Sequence, residues 1–277
     1  MWRLRSMLRA LAVSKSGYFT WRHRGEPGRA GEDRVLTVRI AAIHAASRQT
    51  YGSPRVFREI KESGTRISRK RVERLMREAG IRPPKSRGFV VTTNSDHDLP
   101  VAQDRLQQDF TASAPDRRWV TDITYIPTRA GWLYLAAIMD LFSRRIVGWS
   151  MRTNLDTGLV LDALDMAIKA RRPSSGLIHH SDRGCQYASH AYRRALESHG
   201  MLPSMSRRAC CYDNAAMESF FHTLKVELIH RRDFHSPEEA KAAVFDYIEA
   251  FYNRTRRHSS IGYLSPADYE QRQATVA

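Results

Sequence analysis

Three carboxylates in the second half of the chain combine a residue type and a setting suited to chemistry. They are Asp122 in WVTDITYI, Asp182 in IHHSDRG and Glu218 in DNAAMESFFHTLK. Asp122 interrupts a β-branched, aromatic run, where a buried unpaired carboxylate is costly. Asp182 closes a short apolar run, and Glu218 falls in the first turn of a helical stretch. Hard divalent cations such as Mg²⁺ take oxygen ligands of this kind. Two such ions about 4 Å apart can clamp an in-line displacement at phosphorus. The chemistry expected of the three acids together is metal-dependent cutting or joining of a phosphodiester backbone. Singly, each has a plainer reading: Asp182 as a turn former, Glu218 as a charge favoured by a helix N-terminus.

Lys225 follows Glu218 by seven residues, so on a helix the two share a face, offset by about 20°. It would present a cation beside the acids. His179 and His180 flank Asp182 and read more simply as structural histidines than as substrate contacts. Asp140 ends an apolar run and is a candidate polar neighbour of the site, and Asn214 is placed to orient Glu218 by a helix-start hydrogen bond. Cys185, Cys210 and Cys211 have no metal-ligand spacing and read as reduced thiols.

The elements that must position these residues follow from periodicity and breakers. Strands are predicted over 118–126, 132–140 and 145–151, with a turn at 128–131 and short connections that suggest an antiparallel meander. A helix over 156–171, a brief strand over 177–180, a helix over 189–199, a strand over 202–205, a polar loop over 207–214 and a helix over 215–229 complete the order βββαβαβα. That order implies an α/β fold with a mixed five-stranded sheet. A crossover after the meander would lay the fourth strand parallel to the first and set Asp122 beside Asp182. Ser236-Pro237-Glu238-Glu239 opens a further helix with Val244, Tyr247, Ile248 and Phe251 inside. A basic loop, 254–258, then precedes a second capped start at Ser265-Pro266.

The first hundred residues have a different character. They hold 22 Lys+Arg against 9 Asp+Glu, whereas the remainder holds 23 against 20, within a net charge of +16. Such a localised basic surplus is the footprint of a polyanion, and nucleic acid fits it better than a membrane surface. Aromatic residues Tyr18, Phe19 and Trp21 sit among Lys15, Arg22 and Arg24, which suits either a nucleic-acid grip or an arm packed on its own domain. A helix is expected from Asp33, fading by Ser47. Pro54 and the Val56, Phe57, Ile60 stripe mark another, broken near Gly64. Ser68 caps a third with Val72, Leu75, Met76 and Ala79 on one face, ended by Gly80. This is a helix-turn-helix pattern, and Arg69, Lys70, Arg71, Arg74 and Arg77 form the face expected to meet a DNA major groove. Residues 82–104 lack periodicity and read as a linker. No apolar run approaches the roughly 18 residues of a bilayer span, and no signal-peptide pattern is present, so a cytoplasmic protein is expected.

The Asp, Asp, 35-residue gap, Glu spacing with Lys225 beyond it resembles the DDE core of retroviral integrases and bacterial transposases. WVTDITYI, MDLFSRRIVGWS, HHSDRGCQYAS, DNAAMESFFHTLKVEL and YNRTRRHSSIGYLSPADY are similar to the insertion sequence three family, specifically its second-reading-frame product, and YGSPRVFREI resembles that family's helix-turn-helix. The resemblance implies an RNase H-like core and a transposase that nicks double-stranded DNA at element ends and transfers the 3′-hydroxyl. It implies Mg²⁺ or Mn²⁺, two ions per site, held by Asp122, Asp182 and Glu218, with Lys225 as basic partner. It also implies a homo-oligomer on DNA and an upstream-frame product as fusion or partner. The divisions expected are a basic arm and helix (1–50), the helix-turn-helix (51–83), a linker (84–108), the RNase H-like core (109–232) and a helical C-terminal extension (233–277). Two alternatives stay open: a non-catalytic transposase-derived DNA-binding protein or repressor, and a nuclease of RNA–DNA hybrids.

Overall fold

The computed structural model describes residues 4–23, 28–85, 101–207 and 211–276. Most of the expected linker, and Arg24 and Cys210, lie outside them. The chain divides into two compact units, Met1–Pro83 and Pro84–Ala277.

The first unit is helical. Its basic arm forms a hairpin of α1 (Leu4–Ala10) and α2 (Lys15–His23), followed by α3 (Gly28–Ala46), α4 (Ser53–Glu62) and α5 (Arg69–Glu78). α3 starts five residues before the expected Asp33. α4 and α5 bury Val56, Ile60, Val72, Leu75 and Met76 against each other and against Ile40 of α3. Ser68 caps α5 by accepting from the Arg71 amide. Gly80 ends it at φ +68°, a conformation that carries no steric cost only in glycine.

The second unit is a five-stranded sheet in the order β3-β2-β1-β4-β5. Its strands are β1 (Arg118–Thr128), β2 (Gly131–Asp140), β3 (Ile146–Arg152), β4 (Ile178–Ser181) and β5 (Leu202–Met205). β1, β2 and β3 form the expected antiparallel meander. β4 returns parallel to β1, and β5 adds parallel to β4. The crossover is α6 (Thr157–Arg171), capped by Asp156. The β4–β5 connection holds two helices where one was expected, α7 (Cys185–Ala188) and α8 (His190–Ser198). This is the mixed sheet of an RNase H-like core.

Both faces of the sheet are covered, as central parallel strands require. Trp119, Ala136, Ile138 and Val147 pack with Leu159, Ala163 and Leu164 of α6 and with Tyr187, Tyr192 and Leu196. Gly148 permits that layer: a Cβ there would stand 2.7 Å from Ala167 Cβ and closer still to the Ala163 carbonyl oxygen. The alternate residues of β1 and β2, including Val120, Ile126, Leu133 and Leu135, are buried on the other face. There α9 (Ala215–Glu227) packs on β1, and α10 (Pro237–Asp246) on β1 and β2. α10 does not continue as one α-helix: Tyr247–Tyr252 forms a π-helical turn. α11 (Pro266–Val276) closes the chain, with Ser265 Oγ accepting from the Asp268 amide.

Candidate active site

Asp122 and Asp182 are brought together by strand register. β1 and β4 pair in parallel as Arg118↔Ile178, Trp119↔His179 and Val120↔His180. Two further residues in that register set Asp122 level with Asp182, on neighbouring chains roughly 4.8 Å apart. Asp122 projects on the α9 side, since side chains alternate along a strand. Its Oδ1 accepts from the Ile123 amide at 2.7 Å. Asp182 lies just past the end of β4, and its Oδ1 accepts from the Gly184 amide at 2.9 Å. Glycine belongs at 184 because a Cβ would crowd that oxygen at 3.1 Å.

Glu218 lies in the first turn of α9 and Lys225 in the last, about 10 Å apart along one face. Burial holds the Asp122 carboxyl well above the usual carboxylate range, and the charge of Asp182 adds to this, with Glu218 contributing less. The Ile123 amide and the charge of Lys225 oppose the rise. Burial also raises Glu218 and lowers Lys225. The acids therefore share one electrostatic environment, with Lys225 in reach of it. Among the described residues, no three His, Cys, Asp or Glu side chains are gathered tightly enough to hold one metal ion. The charge of Asp182 disfavours the ionised form of Asp122 beside it. The donors here are hard oxygens whose repulsion a divalent cation would relieve, a set that fits Mg²⁺ or Mn²⁺.

The start of α9 is fixed by Asn214, though not as expected. Its side chain makes no capping bond. Instead Nδ2 donates to the carbonyl oxygen of Thr121, the residue before Asp122, at 3.0 Å. Beside it, buried Asp213 accepts from the Arg207 amide, the Arg207 guanidinium and Gln108 Nε2. Thr121 Oγ1 donates in turn to the Ala137 carbonyl oxygen. His179 and His180 are structural: His179 Nε2 meets the Tyr192 hydroxyl at 2.7 Å, and His180 lies between Ser204 and Ser206. Burial pulls His179 down to about 3 and lowers His180, so both are neutral near pH 7. Asp140 is not a neighbour of the site. It pairs with Trp119, three residues back along β1, and accepts from the Asp116 and Phe142 amides. There it joins Arg171, which also binds Asp116 and Glu270.

Profiles described as integrase core domain match residues 112–211 and 218–273, and one described as HTH-like domain matches 31–88. Transposase InsF for insertion sequence IS3A of Escherichia coli strain K12 is 44% identical over 97% of this chain and 94% of its own length. The chain belongs to the insertion sequence three family of transposases. An insertion element IS600 uncharacterized 31 kDa protein of Shigella sonnei, 43% identical over 98% of the transposase chain and 100% of its own, is a further relative. Among solved structures, a simian T-cell lymphotropic virus intasome in complex with PP2A regulatory subunit B56 gamma aligns at TM-score 0.48 and 14% identity. It covers 83% of this chain and 74% of that one. The HTLV-2 integrase catalytic core with magnesium aligns at 0.42 and 15%, covering 57% and 98%.

In the transposase's helical unit the five basic residues of α5 separate into two groups. Arg69, Lys70 and Arg77 are exposed. Arg71 and Arg74 are half-buried and bind α3: Arg71 reaches Asp33 and Glu32, and Arg74 reaches Asp33 at 2.6 Å. The basic face is thus narrower than the helical wheel implied, because two of its cations hold α5 against α3. The most consequential residues missed from sequence lie in the C-terminal layer. Glu227, at the end of α9, receives a bidentate bond from Arg256 (2.8 and 2.7 Å) and the Tyr247 hydroxyl at 2.8 Å. Both charged side chains are almost fully buried. Asn253 bonds both backbone groups of Ile146 and so clamps β3. The only sequence signal was a carboxylate at an apolar helix position and an arginine in a basic loop, with nothing to pair them. Among the described residues, no helix is long and apolar enough to cross a membrane.

Proposed function

We propose that this DNA transposase cleaves a phosphodiester at the ends of its insertion sequence and transfers the resulting 3′-hydroxyl to a target strand, acting on double-stranded DNA in the bacterial cytoplasm. The observation that carries this reading is the parallel register that sets Asp122 level with Asp182, with the Glu218 helix tied to the same strand. Asp122, Asp182 and Glu218 would hold divalent ions, Mg²⁺ or Mn²⁺ and two per site. Bound there, such ions lower the cost of ionising an attacking hydroxyl and steady the leaving oxygen. The chain's own part is orientation and charge. Ile123 and Gly184 amides fix the two aspartates, and Lys225 offers a cation to a phosphate on the same side. In the first step water oxygen bonds to phosphorus and the 3′ oxygen leaves with a proton. In the second that 3′-hydroxyl loses its proton, bonds to a target phosphorus and expels the target's 3′ oxygen. Arg69, Lys70 and Arg77 would contact the element-end duplex. A second copy, with or without the upstream-frame product, would bring the two ends together.

The test is a cleavage and strand-transfer assay on element-end duplexes with Mg²⁺ or Mn²⁺. Asp122→Asn, Asp182→Asn and Glu218→Gln should each lower activity by at least about 10³-fold, comparable to losing a major electrostatic element of an active site. Undiminished turnover in any of the three would overturn the assignment of that residue, and in all three the reaction itself.

A further inference from the structure

The first turn of α9 is held from outside the helix, at the point where β1 and β4 part. The Ile178 amide donates to the Arg117 carbonyl oxygen, so the carbonyls of Trp119 and Thr121 face the β4 side as well. The pairing stops at Val120↔His180. The Thr121 carbonyl oxygen, next in that row, instead accepts from Asn214 Nδ2 at 3.0 Å. Asp122 and Asp182 leave their two strands at this opening. Asn214 is 5% exposed, and its Oδ1 has no partner among the described residues. A buried acceptor without a donor is costly, and turning the amide over would only set Oδ1 against the Thr121 oxygen.

Asp213, the residue before, is fully buried. Its Oδ1 accepts from Gln108 Nε2 at 2.8 Å and the Arg207 guanidinium at 2.9 Å, and its Oδ2 from the Arg207 amide at 2.8 Å. Asp213 and Asn214 end the 3-10 turn Cys211–Asn214, which runs straight into α9. Gln108 is itself fixed. Gln107 and Gln108 take φ +48° and +60°, a left-handed conformation that residues other than glycine seldom adopt. Asp104 Oδ1 supports it by accepting from the Leu106 and Gln107 amides, and the Arg105 amide donates to Ser204 Oγ. Ser204 Oγ also meets His180 Nδ1 at 2.8 Å. One short segment ahead of β1 thus braces both the strand leading to Asp182 and the helix carrying Glu218.

Glu218 follows Asn214 by four residues, one turn on and over the same face. α9 has no side-chain cap of its own, so these outside bonds decide where that turn sits. We propose that Gln108, Asp213 and Asn214 are positioning residues for Glu218, locking the first turn of α9 at the β1–β4 opening and so setting how tightly the acids take a divalent cation. Such a site needs its ligands held within about 0.5 Å. The proposal rests on the metal-dependent reading above and extends it to residues outside the acidic set.

The test titrates Mg²⁺ against the full chain with two readouts. One is the rise in melting temperature, which needs no turnover, and the other is cleavage of element-end duplexes. Asn214→Leu keeps the volume and removes the donor. It should raise the half-saturating Mg²⁺ concentration about tenfold in both readouts, the low end for losing a support of metal ligands, with little change in the rate at saturating metal. Gln108→Ala should move it the same way, and Gln108→Lys, which restores a donor to Asp213, should bring it back towards native. A native half-saturating concentration in either Asn214→Leu or Gln108→Ala, or no recovery in Gln108→Lys, would overturn the positioning role. Should Asn214→Leu not fold, the Gln108 pair decides by the same criterion. Asp122→Asn separates this from the reading beneath it. Loss of the Mg²⁺ response there, beside native responses in Asn214→Leu and Gln108→Ala, removes the positioning role alone. Stabilisation by Mg²⁺ and cleavage both retained in Asp122→Asn would remove the metal site itself.

Discussion

The Glu227–Arg256 pair allows a prediction in depth. The Arg256 side chain is 5% exposed and that of Glu227 6%, and two short parallel bonds join them. Replacing Arg256 by alanine leaves a buried carboxylate that keeps the Tyr247 hydroxyl but has lost its bidentate cationic partner. It also removes the guanidinium lying over the Tyr252 ring at 5.8 Å. Breaking one side of a buried pair costs about 3–5 kcal/mol, because the surviving charge loses its compensation. In a unit spanning 84–277, each kcal/mol moves the melting temperature by roughly 2–4 °C, so a fall of about 6–20 °C is expected for Arg256→Ala. Tyr247→Phe removes one bond to a charged group and should cost about 1.5–3 kcal/mol. The double change Glu227→Leu with Arg256→Met should be far milder than Arg256→Ala, since apolar replacements of similar volume avoid desolvating either charge. Urea and thermal unfolding of the full chain, followed by circular dichroism, separate these cases. Arg256→Ala within about 1 kcal/mol of native, or a double variant worse than the single one, would refute the reasoning.

Two further expectations concern the site and its support. The raised folded-state pKa of Asp122 means that its ionisation opposes folding: stability falls as pH rises from the ordinary carboxylate value of about 4 through the folded value. Asp122→Asn should therefore raise the melting temperature of metal-free protein at neutral pH while abolishing cleavage, and Mg²⁺ should stabilise native protein more than this variant. A variant melting below native without metal would contradict this. Gly148→Ala should destabilise by about 1–3 kcal/mol through overpacking of α6 on β3, read as an earlier urea midpoint with an unchanged slope.

Much of the fold was legible because its signals are local. β-branched runs bounded by turn formers marked β1 to β5, and the meander followed by a crossover left few topologies in which β4 did not pair parallel to β1. The adjacency of Asp122 and Asp182 followed from that topology. What stayed hidden depends on partners distant in sequence. The loss of Arg71 and Arg74 from the basic face requires Asp33 and Glu32, 38 to 41 residues earlier. Asp140 was misplaced because its Arg171 partner lies 31 residues on, and only the register shows that it faces the far end of β1. The π-helical turn at Tyr247–Tyr252 looked like a continuing α-helix because its buried Tyr247, Ile248 and Phe251 also fit a 3.6-residue period. Asn214 read as a cap because Asn favours that position, yet its amide is used to tether the helix to β1.

The paired strands also set where this protein can tolerate a change of length. Since side chains on a strand alternate, one residue gained or lost within 118–122 or 178–182 would turn one aspartate to the opposite layer. The exposed connections at 153–155 and 172–176, by contrast, lie between β3, α6 and β4 and outside all three. Indels between the first two acids should therefore collect in such connections and leave the two short strand segments untouched.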